Sequence, residues 1–277
     1  MKPKSFTYIR PDDLGEAVEA LARWREDGRI LAGGQSLVPM MNFRLVDVKA
    51  LIDISALTSL AYVRAQNGEV EIGASTTQAQ LMAWPQLAER APLLSAAMPH
   101  IGHFQTRSRG TVCGSIAHSD PSSELPLCLA TLGGSVVLQS RSGTRVLAAR
   151  DFQTGMLSTA RRPEEVIACV RFPACAAATG YAFAEMTQRQ GDFAICAVAA
   201  VVSAKSIRLG VGGVADRPSV REWSDHLAGG ELDDALNDFA WDLGGTDDAH
   251  ATAGYRRELV RRLGRRAIEE AKNARTA

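Results

Sequence analysis

The chain has 277 residues and 46% hydrophobic content, enough for one large domain or two modest ones around a real core. Lys+Arg and Asp+Glu both number 31, so the net charge is zero; this argues against a nucleic-acid binder and suits a subunit that packs against others. The five cysteines form no CxxC pair, which argues against a disulfide framework, a zinc site or an iron–sulfur site and fits reduced thiols in the cytoplasm.

The start, Met1-Lys2-Pro3-Lys4-Ser5-Phe6, lacks the apolar run of a secretory signal. No stretch reaches the ~18 uninterrupted apolar residues that a membrane span requires. Asp12 and Asp13 are N-cap candidates for a helix in which Leu14, Val18, Leu21 and Ala22 recur at helical spacing up to Trp24. Gly28 stops it, and Arg29 to Ala32 and Ala50 to Ile54 read as short strands of a small βα unit ending near residue 57. Asn67-Gly68 between Ala61–Val63 and Val70–Ile72 predicts a hairpin. Helices are expected from Thr77 to Trp84, from Pro92 to Ile101, and from Ser122 to Leu132, with Pro126 in the first turn of the last. Phe104 to Gly110 reads as a basic loop. Ser142-Gly143 marks a second hairpin, and Glu165 to Val170 a strand ended by Pro173.

Small residues from Cys175 to Gly180 read as a linker. Beyond it, three strands are expected at Tyr181–Met186, Ala194–Ser203 and Ser206–Leu209. Helices then follow at Ser219–Leu227, Leu232–Trp241 and Ala249–Lys272. The last carries Tyr255, Leu259, Leu263, Ala267 and Ile268 on one face, with Arg256, Arg257, Arg261, Arg262, Arg265 and Arg266 elsewhere as a solvated face or a surface for an acidic partner. This layout is α+β, with domains at 1–175 (subdomains about 1–57 and 58–175) and 176–277.

Two glycine-polar bends lie about eighty residues apart: Ala32-Gly33-Gly34-Gln35-Ser36-Leu37, and Thr111-Val112-Cys113-Gly114-Ser115 leading into His118-Ser119-Asp120-Pro121. Glycine lets backbone approach an anion closely, consecutive N–H groups form an anion-binding nest, and a following helix adds its positive end. Two such bends suggest a pyrophosphate held from both sides, and so a dinucleotide. Asp120 and Glu124 are suited either to accept hydrogen bonds from sugar hydroxyls or to cap the helix near Ser122.

Other motifs carry less. Gly210-Val211-Gly212-Gly213-Val214-Ala215 follows a strand, but Asp216-Arg217-Pro218 interrupts before any helix, so a strand-end turn is the better reading than a dinucleotide fingerprint. His100, His103 and His118 have no carboxylates at ligand spacing, so no metal site is expected. His118-Ser119-Asp120 is contiguous and cannot form the geometry of a hydrolytic triad, and no catalytic acid or base is assigned.

Ala32 to Met41 resembles the first FAD loop of the medium subunits of molybdenum hydroxylases, the carbon-monoxide dehydrogenase and xanthine dehydrogenase group. Arg109 to Pro121 resembles the second, and Arg189–Ala194, Gly212–Pro218 and Ala253–Arg257 match shorter family segments. The resemblance covers essentially the whole chain. It implies an FAD domain of the vanillyl-alcohol-oxidase type in two subdomains, followed by a C-terminal α+β domain with a three-stranded antiparallel sheet and helices. It also implies that residues 32 to 37 (Ala32, Gly33, Gly34, Gln35, Ser36, Leu37) and Thr111, Cys113, Gly114 and Ser115 hold the FAD pyrophosphate. Glu124 would contact the adenosine half; Ile101 and Gly102 would line the flavin pocket, Phe193 would lie beside the isoalloxazine ring, Ile167 near the adenine, and Arg29 would assist.

Two positions depart from the family pattern. Cys113 stands where glycine is common, which matters if that position needs a positive φ. Glu185 stands where many relatives carry lysine. The role implied is electron exit: FAD takes electrons from [2Fe-2S] clusters of an iron–sulfur small subunit and passes them to an external acceptor, while a large subunit carries the molybdopterin cofactor and the substrate pocket. A dimer of such heterotrimers is the expected assembly. A flavin-free structural adaptor and a freestanding FAD oxidase are the competing readings.

Overall fold

Why the chain starts as it does is visible in its first helix. In the computed structural model, which describes residues 2–275 (Met1, Thr276 and Ala277, the ends of the two expected domains, lie outside them), β1 (Thr7–Ile9) leads into α1 (Leu14–Trp24). Asp13 caps α1 by accepting from the Glu16 N–H at 2.8 Å, and Ala17, Val18 and Leu21 form its buried face. β2 (Gly28–Leu31), α2 (Leu37–Asn42) and β3 (Ala50–Asp53) complete a parallel sheet of order β1-β3-β2. The bend after β2 therefore emerges at the carboxyl end of a parallel strand, where α/β sheets place their ligands.

The second unit is a five-stranded antiparallel sheet of order β4-β5-β10-β6-β7. The predicted hairpins appear as β4 (Val63–Gln66) with β5 (Glu69–Gly73), and as β6 (Ser135–Ser140) with β7 (Gly143–Ala148). Between them run α3 (Gln78–Met82), α4 (Leu87–Arg90), α5 (Pro92–Ala97), α6 (Phe104–Arg109), α7 (Val112–His118) and α8 (Glu124–Leu132). After β7 come α9 (Ala149–Phe152), the small pair β8 (Gln153–Gly155) and β9 (Ser158–Thr159), and the central strand β10 (Val166–Pro173).

Two expectations change here. The helix from Pro92 stops at Ala97 and tightens into a 3₁₀ turn at Met98–His100, because Pro99 removes a helical N–H donor. The basic segment after Gly102 is a short helix, α6, rather than a loop.

The C-terminal unit is an antiparallel sheet of order β11-β12-β13-β14, from β11 (Gly180–Met186), β12 (Cys196–Val202), β13 (Ser206–Gly212) and β14 (Ser219–Ser224). The sheet has four strands where three were expected, since Ser219–Ser224 is a strand and not a helix. The open edge of β13 supplies its backbone partners, and Arg208 and Glu222 face each other across the register with an ion pair of 2.8 Å. α10 (Gly229–Asp242) and α11 (Ala253–Ala274) cover one face. The other face packs on the core of the second unit: Phe183, Ala197 and Ala199 share a cluster with Leu93, Leu94, Leu125 and Leu129. β12 is therefore apolar on both sides, as a strand buried on both faces must be.

Most of the arginines on α11 are paired within the C-terminal unit. Arg261 and Arg262 meet Glu258, Arg265 meets Asp233 and Glu269, and Arg266 meets Glu270.

Candidate functional site

A cavity of about 700 Å³ opens where the three units meet, within the range typical of small-molecule sites. Its first wall is the bend after β2. Gly34 takes a φ of +72°, a conformation open to glycine at little cost. None of the five backbone N–H groups from Gly33 to Leu37 donates to an acceptor within the described chain. They form a row of unused donors at the start of α2, the arrangement that binds anions.

The opposing wall begins at α7. Thr111 caps this helix by accepting from the Gly114 N–H at 3.0 Å, while the flanking Val112 N–H is tied to Thr76 O at 3.1 Å and Gln78 N–H to Gly110 O at 2.8 Å. The second bend is thus a helix N-terminus rather than a free turn. The two walls touch. A Cβ on Gly33 would lie 2.2 Å from Arg109 O and 2.7 Å from Gly110 Cα, so only glycine permits the approach.

This geometry removes the concern about Cys113. It is the second residue of α7 and is not among the residues with positive φ, so a side chain is tolerated there. Its thiol is buried in the core 3.5 Å from Ile72 O, and burial pushes it well above the usual thiol range. Under native conditions Cys113 should resist iodoacetamide while exposed Cys175 reacts; mass mapping after a short pulse checks this, and labelling of Cys113 at the rate of Cys175 would contradict the packing.

Of the remaining expected site residues, Ile101, Gly102, Ser115, Glu124, Ile167, Arg29 and Phe193 all line the same cavity, as do Ala32 to Leu37, Thr111, Cys113 and Gly114. Arg107 holds the loop at Ile101 and Gly102 by donating to their carbonyls at 2.8 and 2.9 Å. Phe193 arrives from the C-terminal unit on a loop whose Gly191 lies against Gly102 and His103, and the residue is 66% exposed. Asp120 is not in the lining: its carboxylate accepts from the Ser122 N–H at 2.8 Å and shapes the turn before α8.

Glu124 opens α8, buried and facing the cavity. Burial, and secondarily Asp120, push its carboxyl up to about 7. Glu185 does not line the cavity. It lies at the end of β11, where its Oε1 is 3.3 Å from His100 Nδ1.

Several lining residues were not foreseen. Arg161 is half-buried, with Nη1 donating to the carbonyls of Arg162, Pro163 and Glu165 at 2.9, 3.3 and 2.8 Å. Burial, and then the nearby Arg29, hold it below the usual guanidinium range. Thr159, at the end of β9, and Pro163 and Glu165, from the connection to β10, join it. Gln78 is a further omission: its buried Oε1 has no partner, and the residue lines the cavity beside Gly110. Only its place after the Thr77 cap hinted at it.

Residues 4–175 match the family described as FAD binding domain in molybdopterin dehydrogenase, and residues 181–271 match the CO dehydrogenase flavoprotein C-terminal domain. The chain belongs to this flavoprotein family. Among its relatives, the carbon monoxide dehydrogenase medium chain of Afipia carboxidovorans is 34% identical, over 98% of each chain. The nicotine 6-hydroxylase medium subunit of Paenarthrobacter nicotinovorans is 35% identical over 98% of this chain and 99% of the relative. The solved structure of quinoline 2-oxidoreductase from Pseudomonas putida 86 contains a chain that superposes with a TM-score of 0.91 at 30% identity, over 99% of both. Like these flavoproteins, the chain is a subunit-type oxidoreductase protein with an FAD-binding domain and a mixed α and β C-terminal domain.

Proposed function

We propose that this chain is the electron-exit subunit of a heteromeric molybdenum hydroxylase, with FAD held in the cavity between its three units. The observation that carries this is the row of unused N–H donors from Gly33 to Leu37, set against the start of α7 by the Gly33–Gly110 contact. That cradle has no use in a flavin-free adaptor. Residues 1–175 would be the FAD-binding domain and 176–277 the C-terminal domain that supplies Phe193.

Within it, Ala32 to Leu37 hold the pyrophosphate through the free backbone N–H groups of Gly33 to Leu37 and the Ser36 hydroxyl, and Thr111, Cys113, Gly114 and Ser115 close on it from the start of α7, Ser115 with its hydroxyl. Glu124 accepts from a hydroxyl of the adenosine half. Ile101, Gly102 and Phe193 border the isoalloxazine, and Ile167 with Arg29 closes the adenine end. Asp120 acts on the turn before α8. When bound, FAD accepts electrons and returns them to an external acceptor; the protein fixes its position and potential.

The expected partners are an iron–sulfur small subunit and a molybdenum-cofactor large subunit, two copies of each assembling with two of this chain in the cytoplasm. No helix among the described residues is long and apolar enough to cross a membrane.

The test is to purify the complex through a tag on this chain and assay flavin, iron and molybdenum after denaturation. Stoichiometric FAD with both metals is expected. Metals without flavin would favour the adaptor, and dye reduction by this chain alone would favour a freestanding oxidase.

A further inference from the structure

Four buried polar side chains among the described residues carry an atom with no hydrogen-bond partner, and of these Gln78 alone lines the cavity. It is the first residue of α3 and only 5% exposed. Its Oε1 is buried and unpaired. Its Nε2 makes no hydrogen bond among the described residues either, yet is not one of the fully buried atoms, so it is the end of the amide that opens on the cavity.

The backbone alone fixes where this side chain stands. Gln78 N–H donates to Gly110 O at 2.8 Å and Val112 N–H to Thr76 O at 3.1 Å, which pairs Thr77 with Thr111 and clamps the start of α3 to the start of α7. Thr77 and Gln80 complete the cap of α3. The amide has no part in any of this. A Cβ built on Gly110 would lie 3.4 Å from Gln78 Oε1 and 3.5 Å from Gln35 Cγ, so two glutamines flank Gly110, the residue that Gly33 meets. Gln35 spends its Nε2 on Gly33 O at 3.2 Å. Gln78 spends its amide on nothing. A buried oxygen left unpaired costs stability, and an apolar side chain of the same length would avoid that cost. The amide thus stands at the contact that sets the unused N–H groups of Gly33 to Leu37 against α7, and its free end is a donor of the same kind, a neutral N–H.

We propose that Gln78 is a further cofactor-binding residue of this cavity, donating Nε2–H to the pyrophosphate of the bound dinucleotide from the side of α3. The unpaired Oε1 is then a cost of the empty fold, offset on binding by the bond that the other end of the amide makes. No covalent bond changes and no proton or electron moves. This rests on the reading that the cavity holds FAD.

Two substitutions separate a donor from a filler. Gln78→Met keeps the length and removes the amide. Gln78→Glu keeps the shape and puts a carboxylate oxygen where the N–H was. FAD affinity is measured on the intact complex by fluorescence of released flavin, and the thermal midpoint on the flavin-free full chain. Gln78→Met should weaken FAD by about tenfold or more, the worth of a hydrogen bond to a charged acceptor, while the flavin-free midpoint stays level or rises. Gln78→Glu should hold FAD more weakly still at pH 8, because like charges then face each other. Wild-type affinity in Gln78→Met overturns the proposal. So does a flavin-free midpoint that falls in step with affinity, which would make the amide structural. FAD affinity in Gln78→Glu at or above wild type also overturns it, since the cavity end of the side chain would then be an acceptor. A wild-type complex that purifies with its metals but without flavin is a different failure: it removes FAD from the cavity, and this proposal with it.

Discussion

A Gly33→Val chain is expected to fold and to join its complex, but to emerge without flavin. The reason is local. The Cα of Gly33 rests against the peptide between Arg109 and Gly110, where a Cβ would approach Arg109 O to 2.2 Å, so a side chain must push the bend after β2 away from α7. Overpacking of this kind costs about 1–3 kcal/mol when the surroundings yield. Here what yields is the spacing between the free N–H donors after β2 and the start of α7, so the cost falls on the ligand as well as on the fold. A loss of 1.4 kcal/mol is about tenfold in affinity, and splitting a two-sided grip should exceed that. The readouts are flavin per chain and the thermal midpoint. FAD content below about a tenth of wild type, with an intact complex and turnover lost to a dye acceptor, is the expected pair of results. Full flavin occupancy in Gly33→Val would mean that the two bends do not grip one anion.

Much of this site could be read before any fold was known. The bends announced themselves because glycine next to small polar residues has few uses other than close backbone approach. Capping, likewise, was written in Asp13 and Thr77, whose side chains accept from backbone N–H groups three residues on. The hairpins at Asn67-Gly68 and Ser142-Gly143 followed from turn chemistry alone.

What escaped was set by distant partners. Ser219–Ser224 has the composition of a short exposed helix and became a strand because β13 offered an unpaired edge. Gly210, read as part of a strand-end turn, lies within β13 beneath α8, where a Cβ would sit 1.9 Å from Thr131 Oγ1. The lining residues Arg161 and Pro163 lie on a connection with no motif, and Thr159 on the short strand before it, so nothing local in the sequence marked them for the cavity. Cys113 raised a question of strain that the residues alone could not answer. Thr111 acting as a cap, which makes Cys113 helical, answers it.

Arg256 shows the same limit and yields the larger stability effect. It was grouped with the solvated arginines of α11, yet its side chain is 6% exposed. Its Nη1 donates to Ile195 O at 2.7 Å and Gly213 O at 2.5 Å, and its Nη2 pairs with Asp248 at 2.5 Å. These are not incidental loops. Ile195 closes the segment that carries Phe193, and the Gly213 N–H donates to Pro121 O at 2.8 Å, just before Ser123 and Glu124 enter the cavity wall. One guanidinium thus ties α11 to both sides of the seam.

Arg256→Met keeps most of the volume and leaves the two carbonyls without their donor. Each buried polar group left unsatisfied costs about 1–3 kcal/mol, so a loss of about 2–5 kcal/mol is expected, large against the few kcal/mol by which such domains are stable. The urea midpoint of the purified chain should fall accordingly. Flavin retention should fall with it even at low urea, because Phe193 and the approach to Glu124 loosen together. Asp248→Asn removes only the exposed half of the arrangement, and its midpoint should move by no more than about 1 kcal/mol. Equal midpoints for Arg256→Met and wild type would show that the carbonyls of Ile195 and Gly213 find other donors and that the seam does not depend on this residue.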